Sequence, residues 1–283
     1  MWKARSYHRA TRRLILLALI SAVALSAVGP VRAATLEEIK KRGYLLVATE
    51  DDFKPFEFVQ NGKPTGFDNE LLELLKKYAP FEVRQDIIPW TGLLAGVSTG
   101  KYDVALTAAL ITKERSKSLD FTMPIADATH YFVKRKGDTS ITQIKDLDGK
   151  ILGIQAGSGL LQRLPELEAM LAKTGGKISK VVEYTSYPEA YQDLALKRTD
   201  FVINTIINIQ ALVKEKPTVF EVGLPVSGKS YPAWAVAKGN AELLTFLNGF
   251  LAEQKKNGNF AKLQEKWFGQ TFPDLPERWE AEF

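Results

Sequence analysis

The sequence predicts a mixed α/β protein of two lobes joined by a hinge, with a cleft between the lobes. Strand-like apolar runs alternate with helical runs along most of the chain, and a second alternating series begins after residue 130. Two extended segments, 129–134 and 225–232, are placed so that the chain could cross between lobes and return. Such alternation indicates βαβ units and parallel sheets, and clefts between lobes commonly bind small ligands.

The first series lies between residues 44 and 107. A leucine-rich stripe at helical spacing over 67–78 predicts an amphipathic helix. The apolar run 104–107, directly after the turn at 100–103, predicts a short buried strand. Strands are also predicted at 44–49 and 83–88, and a short helix at 90–97.

The second series also alternates strands with helices, and after it the chain returns to the first lobe. It predicts strands at 151–154, 181–184 and 201–203 and helices at 160–172, 187–196 and 206–213. After residue 232 the chain predicts one more strand, 233–237, and two helices, 241–256 and 260–267.

Residues 1–33 have the pattern of a cleaved secretory signal. Five basic residues precede the apolar run 14–28, and the small-residue sequence Val31-Arg32-Ala33 follows as a cleavage site. The pair Arg12-Arg13 leaves a twin-arginine signal as an alternative to ordinary secretion. No cysteine follows the apolar run, which excludes a lipid-anchored lipoprotein. The mature protein is therefore expected in the periplasm.

Removing this segment also removes the apparent basicity of the chain. Six of the 38 Lys and Arg residues lie in 1–33 and none of the 33 Asp and Glu residues do, so the remainder has 32 bases, 33 acids and a net charge of −1. Nucleic acid binding then has no electrostatic support. The chain has no cysteine, and its two histidines, His8 and His130, cannot form a metal cluster. No metal and no cofactor are expected.

Arg115 is the strongest candidate for a ligand-binding residue. It closes the run 90–115, where Thr112 predicts the N-cap of a helical turn. A planar guanidinium beside a helix N-terminus is a good receptor for a carboxylate. The alternative is a surface arginine in a salt bridge with Glu114 or Asp120.

The order and spacing of eight short motifs resemble the periplasmic solute-binding proteins of ABC importers, specifically the polar amino acid family. The motifs are GYLLVATEDDFKPFEF at 43–58, GKPTGFD at 62–68, WTGLL at 90–94, GKYD at 100–103, ITKER at 111–115, LDF at 119–121, DLDGK at 146–150 and KWFG at 266–269. The resemblance covers residues 36 to 270.

The resemblance implies the type II periplasmic-binding-protein fold, with lobe 1 formed by residues 35–125 and 234–283 and lobe 2 by residues 130–229. It also implies the function: the protein would close on a small carboxylate-bearing solute and deliver it to an ABC permease in the inner membrane. A monomer is expected. The hinge would work because ligand contacts to both lobes stabilise the shut state.

The resemblance assigns ligand-binding roles to residues of both lobes. Arg115 would clamp the carboxylate, and Phe53 and Trp90 would sandwich the aliphatic part of the ligand; the alternative is that both aromatics are core residues. In lobe 2, Ser158 and Gly159 lie in a loop between a strand and a helix, where backbone N–H groups can bind the same carboxylate. This loop lacks the lysine and glycine pattern of a phosphate loop.

Two positions depart from the family pattern. Leu110 stands where a serine or threonine usually grips the carboxylate, so only its backbone could contribute; Ala108 is included with it among the ligand-binding positions. Thr205 stands where an aspartate usually pairs with the α-ammonium, and a buried ammonium without an anionic partner is costly. Glu50 could supply that charge; the alternative is a solvated acidic turn over 50–52.

Several hypotheses therefore stay open. The ligand could be an amino acid held unconventionally, a modified or N-substituted amino acid, or an organic acid without a free α-amine. An enzyme like cyclohexadienyl dehydratase on the same scaffold is the alternative function, with Glu50 or Glu183 as general acid. A sensing domain that docks on a receptor is the third.

Overall fold

The computed structural model describes residues 32–281. The predicted signal segment, residues 1–33, therefore lies outside the described residues except for its last two positions. Residues Ala33–Phe283 form one unit. Among residues 32–281, no helix is both long and apolar enough to cross a membrane.

The described elements agree closely with the predicted alternation. The helices are α1 Leu36–Arg42, α2 Phe67–Tyr78, α3 Leu93–Ser98, α4 Leu164–Ala172, α5 Tyr187–Ala195, α6 Ile206–Glu215, α7 Ala241–Lys256 and α8 Asn259–Phe268, with short 3₁₀ turns at Arg115–Lys117, Ile144–Leu147 and Gly159–Arg163. The strands are β1 Tyr44–Glu50, β2 Asp52–Phe53, β3 Glu57–Gln60, β4 Lys63–Thr65, β5 Glu82–Ile88, β6 Val104–Leu110, β7 Leu119–Phe121, β8 His130–Arg135, β9 Ile151–Gln155, β10 Lys180–Tyr184, β11 Phe201–Thr205, β12 Phe220–Pro225 and β13 Pro232–Ala237.

Two five-stranded sheets organise the chain. The first has the order β5-β1-β6-β13-β7 and the second the order β10-β9-β11-β8-β12. We call the part built on the first sheet lobe 1 and the part built on the second lobe 2. The residue bounds given above for the lobes stay a prediction, but each sheet draws its strands from the corresponding stretch of sequence.

Both sheets are mixed, whereas the sequence predicted parallel sheets. In lobe 1, β1 pairs in parallel with β5 and β6, but β13 runs antiparallel to β6 and β7. In lobe 2, β9 pairs in parallel with β10 and β11, but β8 runs antiparallel to β11 and β12. The antiparallel strands are those beside the two crossings, where the chain enters one sheet and returns to the other. The segment 129–134, predicted as a crossing, lies mostly within β8.

Local capping explains where several of the helices begin and end. Thr35 and Glu38 form a capping box at the start of α1, and Gly43 ends the helix in the left-handed conformation. Ser186 caps α5 and Thr205 caps α6 through their hydroxyl groups. The predicted helix over 160–172 is a 3₁₀ turn followed by α4.

The core of lobe 1 lies between its sheet and helices α2, α7 and α8. Trp234 of β13 is fully buried there and stacks on Phe250, with ring centroids 6.1 Å apart. Its indole N–H donates to the buried carboxylate of Asp68 at 2.7 Å. This bond ties the start of α2 to the middle of the sheet.

The lobes are joined by two chain segments that lie side by side. We call residues 122–129 and 226–231 the connecting segments. Ile125 N–H donates to the Pro232 carbonyl at 3.0 Å, and Ala128 N–H donates to the Ser230 carbonyl at 2.8 Å. Ser230 also donates its hydroxyl to the Ala128 carbonyl at 2.9 Å. This pairing holds the two segments side by side where they leave lobe 1.

Gly66 provides a sharp test of the turn before α2. Its φ is 117°, and a Cβ there would lie 2.3 Å from the Phe56 carbonyl oxygen. We expect Gly66→Ala to lower the free energy of unfolding by about 3 kcal/mol or more, because strain and a backbone clash combine. Urea denaturation measures this.

Gly62 is the matched control. Its φ is 74°, but nothing lies within 4 Å of an added Cβ. Gly62→Ala should therefore cost only about 1 kcal/mol, the strain of the left-handed conformation alone. Equal losses in the two variants would contradict the clash at Gly66.

Candidate functional site

A cavity of about 400 Å³ lies between the lobes, at the carboxyl ends of β1, β6, β9 and β11. We call it the interlobe cavity. All the site residues predicted from the sequence line it: Glu50, Phe53, Trp90, Ala108, Leu110, Arg115, Ser158, Gly159 and Thr205. They come together because parallel strands of both sheets end at the same edge, facing the opposite lobe.

Arg115 is buried at this cavity and reaches both lobes. Its Nη1 donates to the Leu110 carbonyl at 2.8 Å, and its Nη2 donates to the Gly157 carbonyl of lobe 2 at 3.0 Å. These two bonds account for two of the five N–H donors of a guanidinium. Burial lowers the pKa of Arg115 to about 10, against the opposing effects of Tyr187 and Glu50. Arg115 therefore stays charged at neutral pH.

The alternative of a surface salt bridge is wrong for Arg115. Glu114 pairs with Lys117, and Asp120 pairs with Lys238 at 2.7 Å. The hydroxyl of Thr112 accepts from the Arg115 backbone N–H at 3.2 Å, so Thr112 caps the turn as predicted.

Phe53 and Trp90 of lobe 1 both line the interlobe cavity. The Arg115 guanidinium carbon lies 5.1 Å from the centre of the Trp90 ring, within cation–π range. Phe53 stacks on Phe56 behind it and on Tyr187 of lobe 2, with ring centroids 5.7 and 6.2 Å apart. Both aromatics are half-buried, so they are neither solvent-exposed nor fully core residues.

Glu50 is buried at the end of β1, with 4% of its surface exposed. Asp51 and Asp52 beside it are exposed, so the interpretation of a solvated acidic turn is wrong for Glu50. Gln155 of lobe 2 donates its amide N–H to Glu50 at 3.4 Å. Burial raises the pKa of Glu50 to about 8, and the bond from Gln155 opposes this only in part.

A buried pair of carboxyl groups, Glu57 and Asp68, lies close to Glu50. Thr107, which lines the cavity, donates its hydroxyl to Glu57. Glu57 in turn lies against Asp68, and burial raises the pKa of both groups, that of Asp68 to about 7. The cavity floor is therefore backed by acidic groups that resist ionisation.

The lobe 2 wall is formed by the loop after β9 and the start of α5. The Ser158 hydroxyl accepts from the Leu160 N–H at 3.2 Å and lies 3.3 Å from the Tyr187 hydroxyl. Gly159 packs tightly: an added Cβ would lie 2.9 Å from the Leu110 side chain and 3.1 Å from Nη1 of Arg115. Only glycine allows the two lobes to approach this closely here.

Thr205 has a local structural role as well as a place in the cavity. Its hydroxyl accepts from the Asn208 N–H at 3.4 Å to cap α6, and it donates to the Asn208 side chain. Leu110 contributes its carbonyl to Arg115, while its side chain packs against Gly159. Neither residue adds a charge to the cavity.

The sequence matches the bacterial extracellular solute-binding proteins, family 3, over residues 45–270. The chain belongs to this family. As the resemblance implied, it is an amino-acid-type ABC solute-binding protein, and its two sheets and helices form the two-lobed type II fold.

Three similar proteins illustrate the relationship. The L-cystine-binding protein TcyJ of Escherichia coli (strain K12) is 31% identical over 237 residues, which cover 83% of this chain and 86% of that protein. An ancestral arginine-binding protein bound to arginine is 38% identical with a TM-score of 0.70, covering 81% and 99% of the two chains. The crystal structure of AncCDT-1, an ancestral amino acid-binding protein and precursor of cyclohexadienyl dehydratase, is 31% identical with a TM-score of 0.73, covering 83% and 100%.

Sequence reasoning missed several residues that line the cavity of this solute-binding protein. They include Thr107, Gln155 and Tyr187. Tyr187 follows a serine N-cap directly after a parallel strand, a pattern that places an aromatic side chain at the carboxyl edge of the sheet. Thr107 lies within a predicted strand, and Gln155 ends a strand that the structure shows. Nothing in the sequence around either residue distinguishes a side chain that lines the cavity from one in the core. Within residues 32–281, no group of three or more His, Cys, Asp or Glu side chains has the arrangement of a metal site.

The buried Glu50 predicts a pH-dependent stability. Its pKa is 4.5 in the unfolded chain and about 8 in the fold, so between these values the folded protein holds a proton that the unfolded chain releases. The free energy of unfolding should therefore fall as pH rises from 4.5 to about 8, by up to about 1.4 kcal/mol per pH unit from this group.

Glu50→Gln removes this contribution, so the melting temperature of the wild type should drop relative to that of the variant as pH rises through this range. Thermal unfolding at several pH values measures the difference. Asp86→Asn, a change at an exposed carboxylate of β5 that does not line the cavity, is the control and should follow the wild type. Parallel pH profiles for wild type and Glu50→Gln would contradict the role given to Glu50.

Proposed function

We propose that the protein captures a small carboxylate-bearing compound, an amino acid or a close analogue, in the interlobe cavity and delivers it to an ABC permease. The observation that carries this proposal is the position of Arg115. Its guanidinium is anchored in lobe 1, bonded to a carbonyl of lobe 2 and placed against the Trp90 ring. A carboxylate bound there would contact both lobes and so favour their closure.

The nine predicted site residues have different chemical roles in this proposal. Arg115 binds the carboxylate through its planar fork, with the loop of Ser158 and Gly159 facing it from lobe 2. Phe53 and Trp90 cover the aliphatic part of the ligand. Ala108 and Leu110 contribute the end of β6, where backbone groups reach the cavity.

Glu50 is the proposed partner of the ligand's α-ammonium. It is the carboxylate that lines the cavity, whereas Thr205 is a neutral helix cap. A cationic group beside Glu50 would favour its ionised form, so binding at neutral pH would release the proton that burial retains. This supports an α-amino acid with an unconventional ammonium site over an organic acid without an amine.

Transport is the proposed context of binding. The family consists of extracellular solute-binding proteins, and TcyJ and the ancestral arginine-binding protein are both named for amino acids. A periplasmic location and a monomeric state belong to the same proposal. Docking on a sensory receptor instead of a permease would use the same closed lobes.

Removing the guanidinium tests the proposal directly. The purified protein is screened by thermal shift against amino acids, opines, betaines and dicarboxylates. A ligand at about a hundred times its dissociation constant should stabilise the wild type by about 2.7 kcal/mol, a rise of several degrees. We expect Arg115→Ala to lose this rise.

Arg198→Ala is the control, because Arg198 is an exposed arginine of lobe 2 that pairs with Asp193 and does not line the cavity. It should keep the full ligand-induced shift. An equal shift in Arg115→Ala would overturn the carboxylate clamp, and the absence of any stabilising compound would overturn the proposed function.

Thr205→Asp tests the ammonium site. Aspartate caps helices as well as threonine does, so α6 should form normally, while a carboxylate would be added beside the cavity. Plain α-amino acids should bind about tenfold more tightly to this variant, because the ammonium beside Glu50 gains a second carboxylate partner. Thr205→Asn, which caps without adding charge, is the control in titration calorimetry. If Thr205→Asp bound α-amino acids no more tightly than Thr205→Asn, the inference that a neutral Thr205 weakens ammonium binding would be wrong.

A dehydratase-like enzyme is the second candidate function, and Glu50 is the observation that favours it. A buried carboxyl group with a pKa near 8 is protonated at neutral pH and could act as a general acid. Glu183, the other candidate acid, is exposed and does not line the cavity. Turnover of prephenate or arogenate, lost in Glu50→Gln, would establish this function in place of binding alone.

A further inference from the structure

Residues 271–281 follow helix α8 and lie beyond the region that matches the family, which ends at residue 270. We call them the strap. They form neither helix nor strand, but their apolar side chains pack on lobe 1. Leu275 packs on the main core of lobe 1, and Trp279 packs on a smaller cluster that includes Tyr231. The strap therefore runs back along lobe 1 to the place where the lobes are connected.

The start of the strap is tied to the first connecting segment through Gln264 of α8. This side chain is buried, with 2% of its surface exposed. Its amide N–H donates to the Ile125 carbonyl at 2.9 Å, and its amide oxygen accepts from the Phe272 backbone N–H at 3.0 Å. Ile125 belongs to segment 122–129, so one buried side chain bonds both the strap and that segment.

The end of the strap covers the second connecting segment. Tyr231 is the last residue of segment 226–231, and its ring meets the Trp279 ring with centroids 4.8 Å apart and planes inclined by 67°. An edge-to-face contact of this kind is a favourable aromatic arrangement. Tyr231 is buried although it lies in a connecting segment. The strap therefore reaches both of the segments that join the lobes.

The same contact lies one residue from the anchor of Arg115. The Ile111 N–H donates to the Tyr231 carbonyl at 3.1 Å, and the Ile111 side chain belongs to the cluster on which Trp279 packs. Leu110, the residue before it, supplies the carbonyl that accepts from Arg115 at 2.8 Å. Trp279 thus packs on the end of a connecting segment and beside the end of the strand that anchors Arg115.

Apolar packing is the main attachment of the strap. Among residues 32–281, the bond to Gln264 is the one hydrogen bond found between the strap and the rest of the chain, and the salt bridge Arg278–Glu280 lies within the strap. Within the same described chain the Trp279 Nε1 is buried and has no hydrogen-bond partner, which offsets part of the gain from packing. A segment attached in this way can detach locally without unfolding lobe 1.

We propose that Trp279 is a positioning residue for the ligand site. It holds the lobe 1 end of segment 226–231 and so favours the arrangement in which the lobes meet and Arg115 donates to the Gly157 carbonyl at 3.0 Å. A change in how the lobes lie must be taken up in the two connecting segments, because they are the crossings between the sheets. An interaction made in one arrangement and lost in another shifts the populations of the two. The consequence for ligand affinity rests on the proposed function.

Spin labels on opposite lobes measure the arrangement of the lobes without any ligand. The chain has no cysteine, so Asp51→Cys and Lys216→Cys, both at exposed positions, would carry the two labels. Lys216 adjoins Glu215, whose carboxylate pairs with Lys54 of lobe 1 at 2.9 Å. Pulsed electron paramagnetic resonance then gives the distribution of distances between the lobes.

Trp279→Ala should shift this distribution towards longer distances. The ratio of short to longer distances should fall about fivefold or more, the size typical of coupling between separate sites. Trp279→Phe keeps a ring against Tyr231 and should restore the wild-type distribution. Tyr231→Leu removes the other ring, and combining it with Trp279→Ala should add little to either change alone, because both remove the same contact.

Trp267→Ala is the matched control. Trp267 of α8 is also half-buried in lobe 1, but its ring packs on Phe58 at 6.0 Å and its N–H donates to Glu70 at 3.1 Å. This variant should keep the wild-type distances even where its melting temperature falls. A residue with only a structural role would lower the melting temperature in the same way and leave the distances unchanged.

The outcomes separate this proposal from the proposed function. Equal distance distributions in wild type and Trp279→Ala, an equal shift in Trp267→Ala, or a wild type without short distances would each overturn the role of Trp279. Arg115-dependent ligand binding together with unchanged distances would leave the proposed function standing alone. A shift specific to Trp279→Ala would support the role of Trp279 even if the thermal-shift screen found no ligand, since the distances are measured without one.

Discussion

The hydrogen bonding between the two connecting segments is the constraint on which the rest of the structure depends. Segments 122–129 and 226–231 leave lobe 1 side by side, bonded through Ile125, Ala128 and Ser230. These bonds hold the two segments side by side where they leave lobe 1. Across the interlobe cavity, Arg115 of lobe 1 donates to the Gly157 carbonyl of lobe 2.

Elements whose signals are local were predictable from the sequence, and pairings between distant segments were not. Helix 67–78 was predicted with its observed bounds because its apolar stripe is a property of one segment. The antiparallel placement of β8 and β13 was missed because it depends on partners far away in the sequence. A strand can be predicted from its own residues, but the strands it pairs with in the sheet cannot be predicted that way.

The candidate site shows the same difference between local signals and contacts with distant segments. Arg115, Phe53 and Trp90 were identified from residue type and context, and all three line the cavity. The burial of Glu50 and the position of Tyr187 emerge only when the opposite lobe covers each of them, because each is shielded by residues more than a hundred positions away. Electrostatic properties such as the raised pKa of Glu50 depend on that cover and so cannot be inferred from the acidic turn alone.

The contacts that join the lobes outside the interlobe cavity have a kinetic consequence. Asn208 donates to the Lys54 carbonyl at 2.6 Å, and Lys54 pairs with Glu215, so protein groups alone hold part of the cleft together. In the proposed function the lobes open to release the ligand, and that opening breaks these bonds as well as the ligand's own contacts. The proposal therefore assigns part of the barrier to release to the protein itself, so ligands of different affinity would share a similar upper limit to their dissociation rate.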